Sequence, residues 1–262
     1  MMTLSEILKD KEVAKLNKMA SLKHADATPT VFIVEKSGEF KAVKELTEVE
    51  SGKMLRVKVA INTTNIIDSH CDLHVNGLWK KSVKEAKGLY LFQEHKYSFD
   101  KIISDKVQAS TQIMSWKDLG YNYEGETEAL IFDAEIDPSE NELMAVKYKK
   151  GKVKNHSVGM RYIKLLLCIN SDKRYDEEEK ANWDKYYPMV ANKEVADELG
   201  YFWAVTEAKI IEGSAVPIGS NQATPTIDVS ESKEAGATTS NEPLKDTLTA
   251  DDIKEIFKEL RN

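Results

Sequence analysis

The stretch HSVGMRYIKLLLCI, residues 156–169, predicts a long buried strand that has a serine and a glycine inside it. It follows residues 138–153, whose apolar spacing predicts a helix ended by Gly151. Further strand candidates lie on both sides of this pair, at residues 55–61, 89–95, 106–116, 129–136 and 201–218. This order of elements predicts an α+β, mainly β fold.

The chain divides into three parts by composition. Residues 1–50 begin with a helical pattern and continue as an arm, residues 51–225 form the core domain, and residues 226–262 form a flexible acidic linker and a C-terminal helix. The linker is predicted because large apolar residues are few in it and Ser, Thr, Glu, Ala and Pro are many. The last helix carries Ile253, Ile256 and Leu260 on one face, which is typical of a docking element.

Composition argues against several classes of function. The chain has 262 residues, of which 31% are charged, and a net charge of −7. We expect no nucleic-acid partner, because phosphate backbones require a basic surface. We expect no membrane partner, because no apolar run reaches about 18 residues and the first residues lack the apolar stretch of a signal peptide. Cys71 and Cys168 lack CxxC spacing, which indicates a reducing cytoplasm.

A histidine and a serine in two different strand candidates form the main candidate site. His95 ends the stretch LFQEH, and Ser157 lies inside the long strand. A neutral imidazole can remove the hydroxyl proton from a serine, and such pairs assemble from distant parts of a chain. His156 is a poor base for its neighbour, because adjacent strand residues point to opposite faces. Glu212 interrupts an apolar strand and is the candidate acid behind His95, with Glu207 as the alternative.

A second candidate site is the stretch HCDLH, residues 70–74. His70 and His74 are four residues apart, a spacing that places two metal ligands on one face if the stretch is helical. Asp68, Cys71 and Asp72 add ligand atoms. The stretch has the composition of a polar turn, however, and no further His or Cys cluster completes a ligand set. We therefore expect no metal and no other cofactor, with a metal-dependent hydrolase centred on residues 68–74 kept as an alternative.

Three blocks between residues 55 and 225 occur in an informative order. They contain Asp68, Asp72 and His95; then Ser157 and Gly159, flanked by His156 and Met160; then Glu212, Ser214, Val216, Asn221 and Ala223. Together they resemble the prohead protease family of tailed bacteriophages, the serine peptidases of capsid maturation. Gly219 and Ser220 depart from that family's Pro-Ala pair. The 55 residues from Ser157 to Glu212 exceed the expected gap because residues 171–200 form a charged insertion.

The resemblance implies a fold and an activity. It implies a compact β-barrel-like core with flanking helices, similar to the herpesvirus assembly proteases, that cleaves polypeptides as a serine endopeptidase. Ser157 would be the nucleophile, His95 the base and Glu212 the residue that orients it. The implied substrates are the major capsid protein and scaffold polypeptides, and the implied location is the immature prohead in the host cytoplasm.

The composition of residues 226–262, a linker followed by a helix, predicts a tail that tethers the protein to scaffold or capsid and is trimmed by the enzyme itself. We also expect a homo-oligomer. A different reading is a non-catalytic phage head scaffold or assembly protein that retains a degenerate protease core. The acidic linker and amphipathic tail fit either reading. The two differ over Ser157, which only the enzyme needs for processing.

Overall fold

The described part of the chain, in a computed structural model, comprises residues 2–23 and 53–231. It contains more strand than helix, so the α+β, mainly β fold class is confirmed. The described strands form two separate sheets that are not closed into a barrel, which corrects the β-barrel-like core implied by the resemblance. Within the described ranges, no helix is both long enough and apolar enough to cross a membrane.

The described residues form ten strands and six α-helices. The strands are β1 (Leu22–Lys23), β2 (Leu55–Thr63), β3 (Asp72–His74), β4 (Leu91–Gln93), β5 (Ile102–Ser104), β6 (Lys106–Ser115), β7 (Glu126–Ile136), β8 (Asn155–Ile169), β9 (Tyr201–Val216) and β10 (Thr226–Glu231). The helices are α1 (Leu4–Ile7), α2 (Lys11–Ala20), α3 (Lys80–Glu85), α4 (Glu142–Lys149), α5 (Glu177–Tyr186) and α6 (Lys193–Leu199).

The first sheet places β9 at its centre. Its order is β1-β8-β9-β4-β5, and β3 also pairs with β9. The long strands β8 and β9 are antiparallel, whereas β4 runs parallel to β9. β9 is buried along most of its length, as expected for a central strand with neighbours on both sides.

The second sheet is antiparallel, with the order β10-β2-β7-β6. Its inner face packs on the first sheet through buried residues that include Val57, Val59 and Phe132. Gly213 on β9 permits this approach, because a Cβ there would lie 2.7 Å from Cε2 of Phe132. The core therefore lies between the two sheets, and residues of β9 that alternate with Gly213 face outward.

The N-terminal segment belongs to the same compact unit as the core domain. Ile7 is completely buried in the main core, and β1 pairs with β8 at Met160 and Arg161. The two short helices α1 and α2 replace the single helical pattern expected from the sequence. The remainder of the predicted helix and arm over residues 1–50, from residue 24 onward, lies outside the described residues.

The core domain also extends beyond its predicted end at residue 225. Residues Thr226–Glu231 form β10, which pairs with β2 and contributes the buried Val229 to the core. The first residues assigned to the linker are therefore an edge strand. The rest of the linker and the predicted C-terminal helix lie outside the described residues.

One helix start also differs from the prediction. The predicted helix covers residues 138–153, whereas α4 begins at Glu142, and Asn141 caps it by accepting a hydrogen bond from the backbone N–H of Met144. Ser139 instead donates to the carboxylate of Asp137 in the preceding turn, at 2.7 Å. The helix is consequently shorter than expected from residues 138–153.

Candidate functional site

The candidate site lies on the outer face of the first sheet, where β8 begins and β9 ends. Ser157 on β8 pairs with Ser214 on β9, and Gly159 pairs with Glu212. Paired residues share a face of the sheet, and so do residues two apart in one strand. Ser157, Gly159, Glu212 and Ser214 therefore occupy one face, opposite to Gly213 and the core.

A β-bulge explains how a glutamate reaches this face from an apolar strand. Gly159 pairs with Glu212, but the next residue of β8, Met160, pairs with Ile210. Ile211 is therefore an extra residue that reverses the alternation of side chains along β9. Ile210 points into the core, and Glu212 points to the outer face, although they are only two residues apart.

The carboxylate of Glu212 binds the imidazole of His95. Oε1 of Glu212 lies 2.6 Å from Nδ1 of His95, and both side chains are largely buried, with exposures of 1% and 6%. This contact joins residues that are 117 positions apart in the sequence. It fixes the ring and directs Nε2 away from the carboxylate, as in sites where a histidine acts as a general base.

The backbone around His95 adopts an unusual conformation that turns its ring back over the sheet. Glu94 and His95 both have left-handed backbones, with φ values of +52° and +55°. Non-glycine residues adopt such values at a cost, and they occur often at functional sites. The backbone N–H of Glu94 donates to the carbonyl of Ala215 at 3.0 Å, which fastens this turn to the end of β9.

Ser214 connects the two halves of the histidine–glutamate pair. Its hydroxyl donates to Oε2 of Glu212 at 2.7 Å and accepts a hydrogen bond from the backbone N–H of His95 at 3.1 Å. The hydroxyl is completely buried, so both bonds form in a dry environment. Ser214 therefore holds the carboxylate and the histidine backbone in a fixed relation.

Gly159 provides the space that the carboxylate occupies. A Cβ on Gly159 would lie 2.0 Å from Oε1 of Glu212. The oxygen that binds His95 consequently lies directly over β8, on the face that also carries Ser157. Two residues of a strand span about 6.6 Å, so the carboxylate oxygen that binds the imidazole lies roughly that far from the backbone of Ser157, the predicted nucleophile.

Ser157 itself is almost fully buried, with an exposure of 4%. It lies on the same face of the first sheet as Glu212, whose carboxylate binds His95. The structure thus brings the predicted base and acid into direct contact and places the predicted nucleophile on the same face beside them.

Glu207, the alternative acid, has a different environment. Its carboxylate lies 3.6 Å from Nζ of Lys81 and is about one-third exposed. It is five residues before Glu212 on β9, or about 16 Å along an extended strand. Glu212 is therefore the acid that meets His95.

His156 lies on the opposite face from Ser157, inside the core. Its two ring nitrogens contact the hydroxyl of Tyr148 and the carbonyl of Thr224, each at 3.0 Å. Complete burial lowers the pKa of His156 to about 4, because a charged ring would lose its hydration. The ring is neutral at pH 7 and joins the start of β8 to α4 and to the loop after β9.

That loop is organised by Asn221, which belongs to the third block. Its amide donates to the carbonyl of Thr63 at 2.8 Å, and its Oδ1 accepts from the hydroxyl of Thr63 at 3.1 Å and from the N–H of Ala223 at 3.0 Å. Asn221 is buried, and these bonds account for both ends of its amide group. Its contacts are those of a residue that supports the site.

An aromatic surface borders the site on the side of β4. Phe92 pairs with Ser214 and so lies on the outer face. It stacks on Tyr90 and meets Tyr97 edge-on, with ring centroids 5.4 Å apart in both pairs. Burial and the nearby charge of Glu212 raise the pKa of Tyr97 to about 12.

Three residues of the alternative metal site do lie close together in the structure. Ligand atoms of Asp68, Asp72 and His74 lie within 4.8 Å of one another, and all three residues are buried. Nζ of Lys18 on α2 lies 2.8 Å from Asp72, and the hydroxyl of Tyr162 donates to the same carboxylate at 2.6 Å. The ammonium of Lys18 therefore supplies a positive charge at this position.

The stretch HCDLH is not a helix, although the predicted pairing of His70 and His74 as metal ligands required one. Asp72–His74 form β3, so His70 and His74 do not share a helix face. Cys71 is buried beside the hydroxyl of Tyr201, and burial raises its pKa to about 11. Cys168 is also buried, with its pKa raised for the same reason. Neutral buried thiols such as these are unreactive.

Sequence reasoning missed two parts of this site. The roles of Ser214 and Gly159 were not assigned, although the spacing Glu-x-Ser places both polar side chains on one face of a strand. That spacing was a usable signal.

Comparison of the chain with protein-family models, with curated proteins and with solved structures gave no match.

Proposed function

We propose that this protein is a serine endopeptidase whose catalytic residues are Ser157, His95 and Glu212. The observation that carries the proposal is the 2.6 Å contact between Nδ1 of His95 and Glu212, on the face that also carries Ser157. A buried carboxylate behind an imidazole selects the tautomer and stabilises the imidazolium that forms during proton transfer. Packing alone does not require this contact, because a pair of apolar side chains would fill the same space equally well.

In the proposed reaction, Ser157 attacks the carbonyl carbon of a peptide bond. Nε2 of His95 takes the hydroxyl proton as the C–O bond forms and then gives it to the leaving amine. The acyl-enzyme that remains is hydrolysed by water, which His95 activates in the same way. Glu212 orients the ring, and Ser214 holds Glu212.

The surroundings favour an extended substrate. The site lies on the outer face of a sheet, beside the aromatic surface of Tyr90, Phe92 and Tyr97. Tyr90 and Tyr97 are 39% and 53% exposed. Aromatic side chains next to a nucleophile can bind apolar side chains of a polypeptide on both sides of the cleaved bond. The resemblance to prohead proteases then suggests capsid and scaffold polypeptides as the substrates, inside the immature prohead.

The test uses a fluorophosphonate, which reacts only with activated serines, together with cleavage of the capsid and scaffold polypeptides. Wild-type protein should be labelled at Ser157. Ser157→Ala and His95→Gln should abolish labelling and cleavage while the thermal unfolding midpoint stays within a few degrees. Ser110→Ala, at an exposed serine of β6, is the matched control and should be labelled normally.

Labelling at a serine other than Ser157, or cleavage by Ser157→Ala, contradicts the proposal. Correct folding with no labelling of the wild type supports the non-catalytic assembly protein instead. A separate experiment tests the proposed tether: deletion of residues 240–262 should lower incorporation into proheads without changing the rate of labelling.

A further inference from the structure

A run of lysines lies just before the strand that carries the proposed nucleophile. Residues 147–154, KYKKGKVK, contain five lysines and no acidic residue, in a chain whose net charge is −7. The run covers the end of α4 and the turn that leads into β8. Four of its lysines are exposed, and together we call them the lysine surface: Lys147, Lys150, Lys152 and Lys154.

α4 holds the lysine surface beside both parts of the proposed site. At the start of this helix, the side-chain amide of Asn141 donates to the carbonyl of Ile102 at 2.8 Å, in the stretch that follows the proposed base. At its end, the hydroxyl of Tyr148 lies 3.0 Å from Nε2 of His156 in β8. The helix therefore bridges the segment of the proposed base and the strand of the proposed nucleophile.

Both ends of the lysine surface are close to the reacting groups. Lys154 is three residues before Ser157, so their Cα atoms are at most about 11 Å apart. Lys147 lies near the turn of the proposed base, because its charge, after the hydrogen bond and charge of Lys96, helps to lower the pKa of Glu94. An extended polypeptide covers about 10–20 Å in three to six residues, and so it can reach from the site to this surface.

The lysine surface lacks the acidic partners that other lysines near the site have. Nζ of Lys96 lies 2.6 Å from the carboxylate of Glu94. Lys149, the buried lysine of the run, has its ammonium 3.8 Å from Glu231. Among residues 2–23 and 53–231, the four exposed lysines form no ion pair with a carboxylate. Their charges repel one another and are available to an anionic partner.

We propose that the lysine surface binds an acidic segment of the polypeptide substrate, about three to six residues from the cleaved bond. This rests on the proposed function, since a substrate requires a reaction. The rest of an acidic protein repels such a segment, so the attraction is confined to one side of the site and sets the direction in which the substrate lies. A nucleic acid fits less well, because four lysines neutralise few phosphates and the remaining surface repels the others.

The first experiment measures binding without cleavage, in the full chain with Ser157→Ala. The probes are two fluorescein-labelled peptides of about 16 residues, long enough to span the surface, with four consecutive glutamates in one and four glutamines in the other. By fluorescence anisotropy at about 50 mM salt, the glutamate peptide should bind about tenfold more tightly. Added salt should reduce this difference, because it screens exposed charges.

Two variants with the same change of net charge show where the peptide binds. Replacing all four residues of the lysine surface by glutamine should remove the preference for the glutamate peptide. The matched control replaces four exposed lysines of the insertion, α6 and the loop after β6, and should keep the preference: Lys117→Gln, Lys173→Gln, Lys185→Gln and Lys193→Gln.

Carbodiimide cross-linking locates the bound peptide directly, because it joins a carboxylate to an amine in contact with it. Mass spectrometry should find the glutamates attached to the lysine surface. Equal binding of the two peptides, an equal loss in the control variant, or cross-links only at other lysines would overturn the proposal. Tighter binding of a single-stranded DNA of similar length would also overturn it and would assign the surface to nucleic acid.

Fluorophosphonate labelling separates this proposal from the proposed function. The reagent carries no acidic segment, so the variant without the lysine surface should be labelled at Ser157 at the wild-type rate. A wild type that is not labelled refutes the peptidase, and with it the role of the acidic segment as substrate, whatever the peptides show. Normal labelling together with equal binding of the two peptides refutes the acidic segment alone.

Discussion

Replacing Gly159 by alanine should disable the site without removing any catalytic group. The new Cβ would lie 2.0 Å from Oε1 of Glu212, and real Cβ atoms essentially never approach another atom within 3.0 Å. The oxygen must therefore move by at least about 1 Å, which disturbs its contact with Nδ1 of His95. A displacement of that size in a catalytic group costs about a hundredfold in rate, or about 3 kcal/mol in the barrier.

Two measurements follow this change. The rate of fluorophosphonate labelling at Ser157 should fall by about a hundredfold, and the downfield proton signal of Nδ1 of His95 should shift or vanish. Stability should fall by only about 1–3 kcal/mol, the worth of a hydrogen bond to a charged group.

Gly213→Ala, on the neighbouring strand β9, is a control in which stability should change and labelling should not. Its Cβ points into the core, 2.7 Å from Phe132, so this variant should lose stability but keep labelling in the folded fraction. Normal labelling and an unchanged Nδ1 signal in Gly159→Ala would refute the proposed arrangement of His95 and Glu212.

Three further changes test other contacts. Ser214→Ala removes two hydrogen bonds, one to a carboxylate, and should slow labelling by about 10- to 100-fold; an unchanged rate would mean that Ser214 has no positioning role. His156 has a folded-state pKa of about 4 against an ordinary 6.5. Between these pH values, the unfolded chain binds a proton at His156 that the folded chain does not bind. The free energy of unfolding should therefore be at its full value above about pH 6.5 and should fall by up to about 3 kcal/mol as the pH drops to 4. Urea titrations across that range should show a smaller slope for His156→Gln. Lys18→Met leaves Asp72 buried without its ammonium and should cost about 3 kcal/mol, whereas a chelator should leave labelling of the wild type unchanged; inhibition by the chelator would favour the metal-dependent alternative.

The sequence predicted the fold well where burial has a clear period. The long stretches that became β8 and β9 are rich in apolar and aromatic residues, because they lie at the centre of a sheet. β10 was missed because TIDVSE has few large apolar residues, and its strand conformation depends on pairing with β2, far away in the sequence. The N-terminal helices were recognised, but a helical period shows which face is buried and not what that face packs against.

The candidate site was only partly accessible to sequence reasoning. His95, Ser157 and Glu212 could be selected by residue type and by resemblance, but their relative positions depend on three strands that are distant in sequence. The left-handed turn at Glu94 and His95 could not be foreseen, because neither residue is glycine. The bulge at Ile211 was hidden for a related reason, since register shifts arise from pairing and not from local composition.

The order of the strands has a consequence for how the protein is made. β9 lies between β4 and β8, yet it is synthesised after both. A nascent chain that stops before residue 201 has the imidazole and the hydroxyl on two strands with nothing to join them, and it lacks the carboxylate altogether. On the proposed function, the polypeptide is therefore inert during synthesis until the final central strand is inserted, and the timing of that insertion sets the earliest moment at which the proposed chemistry can begin.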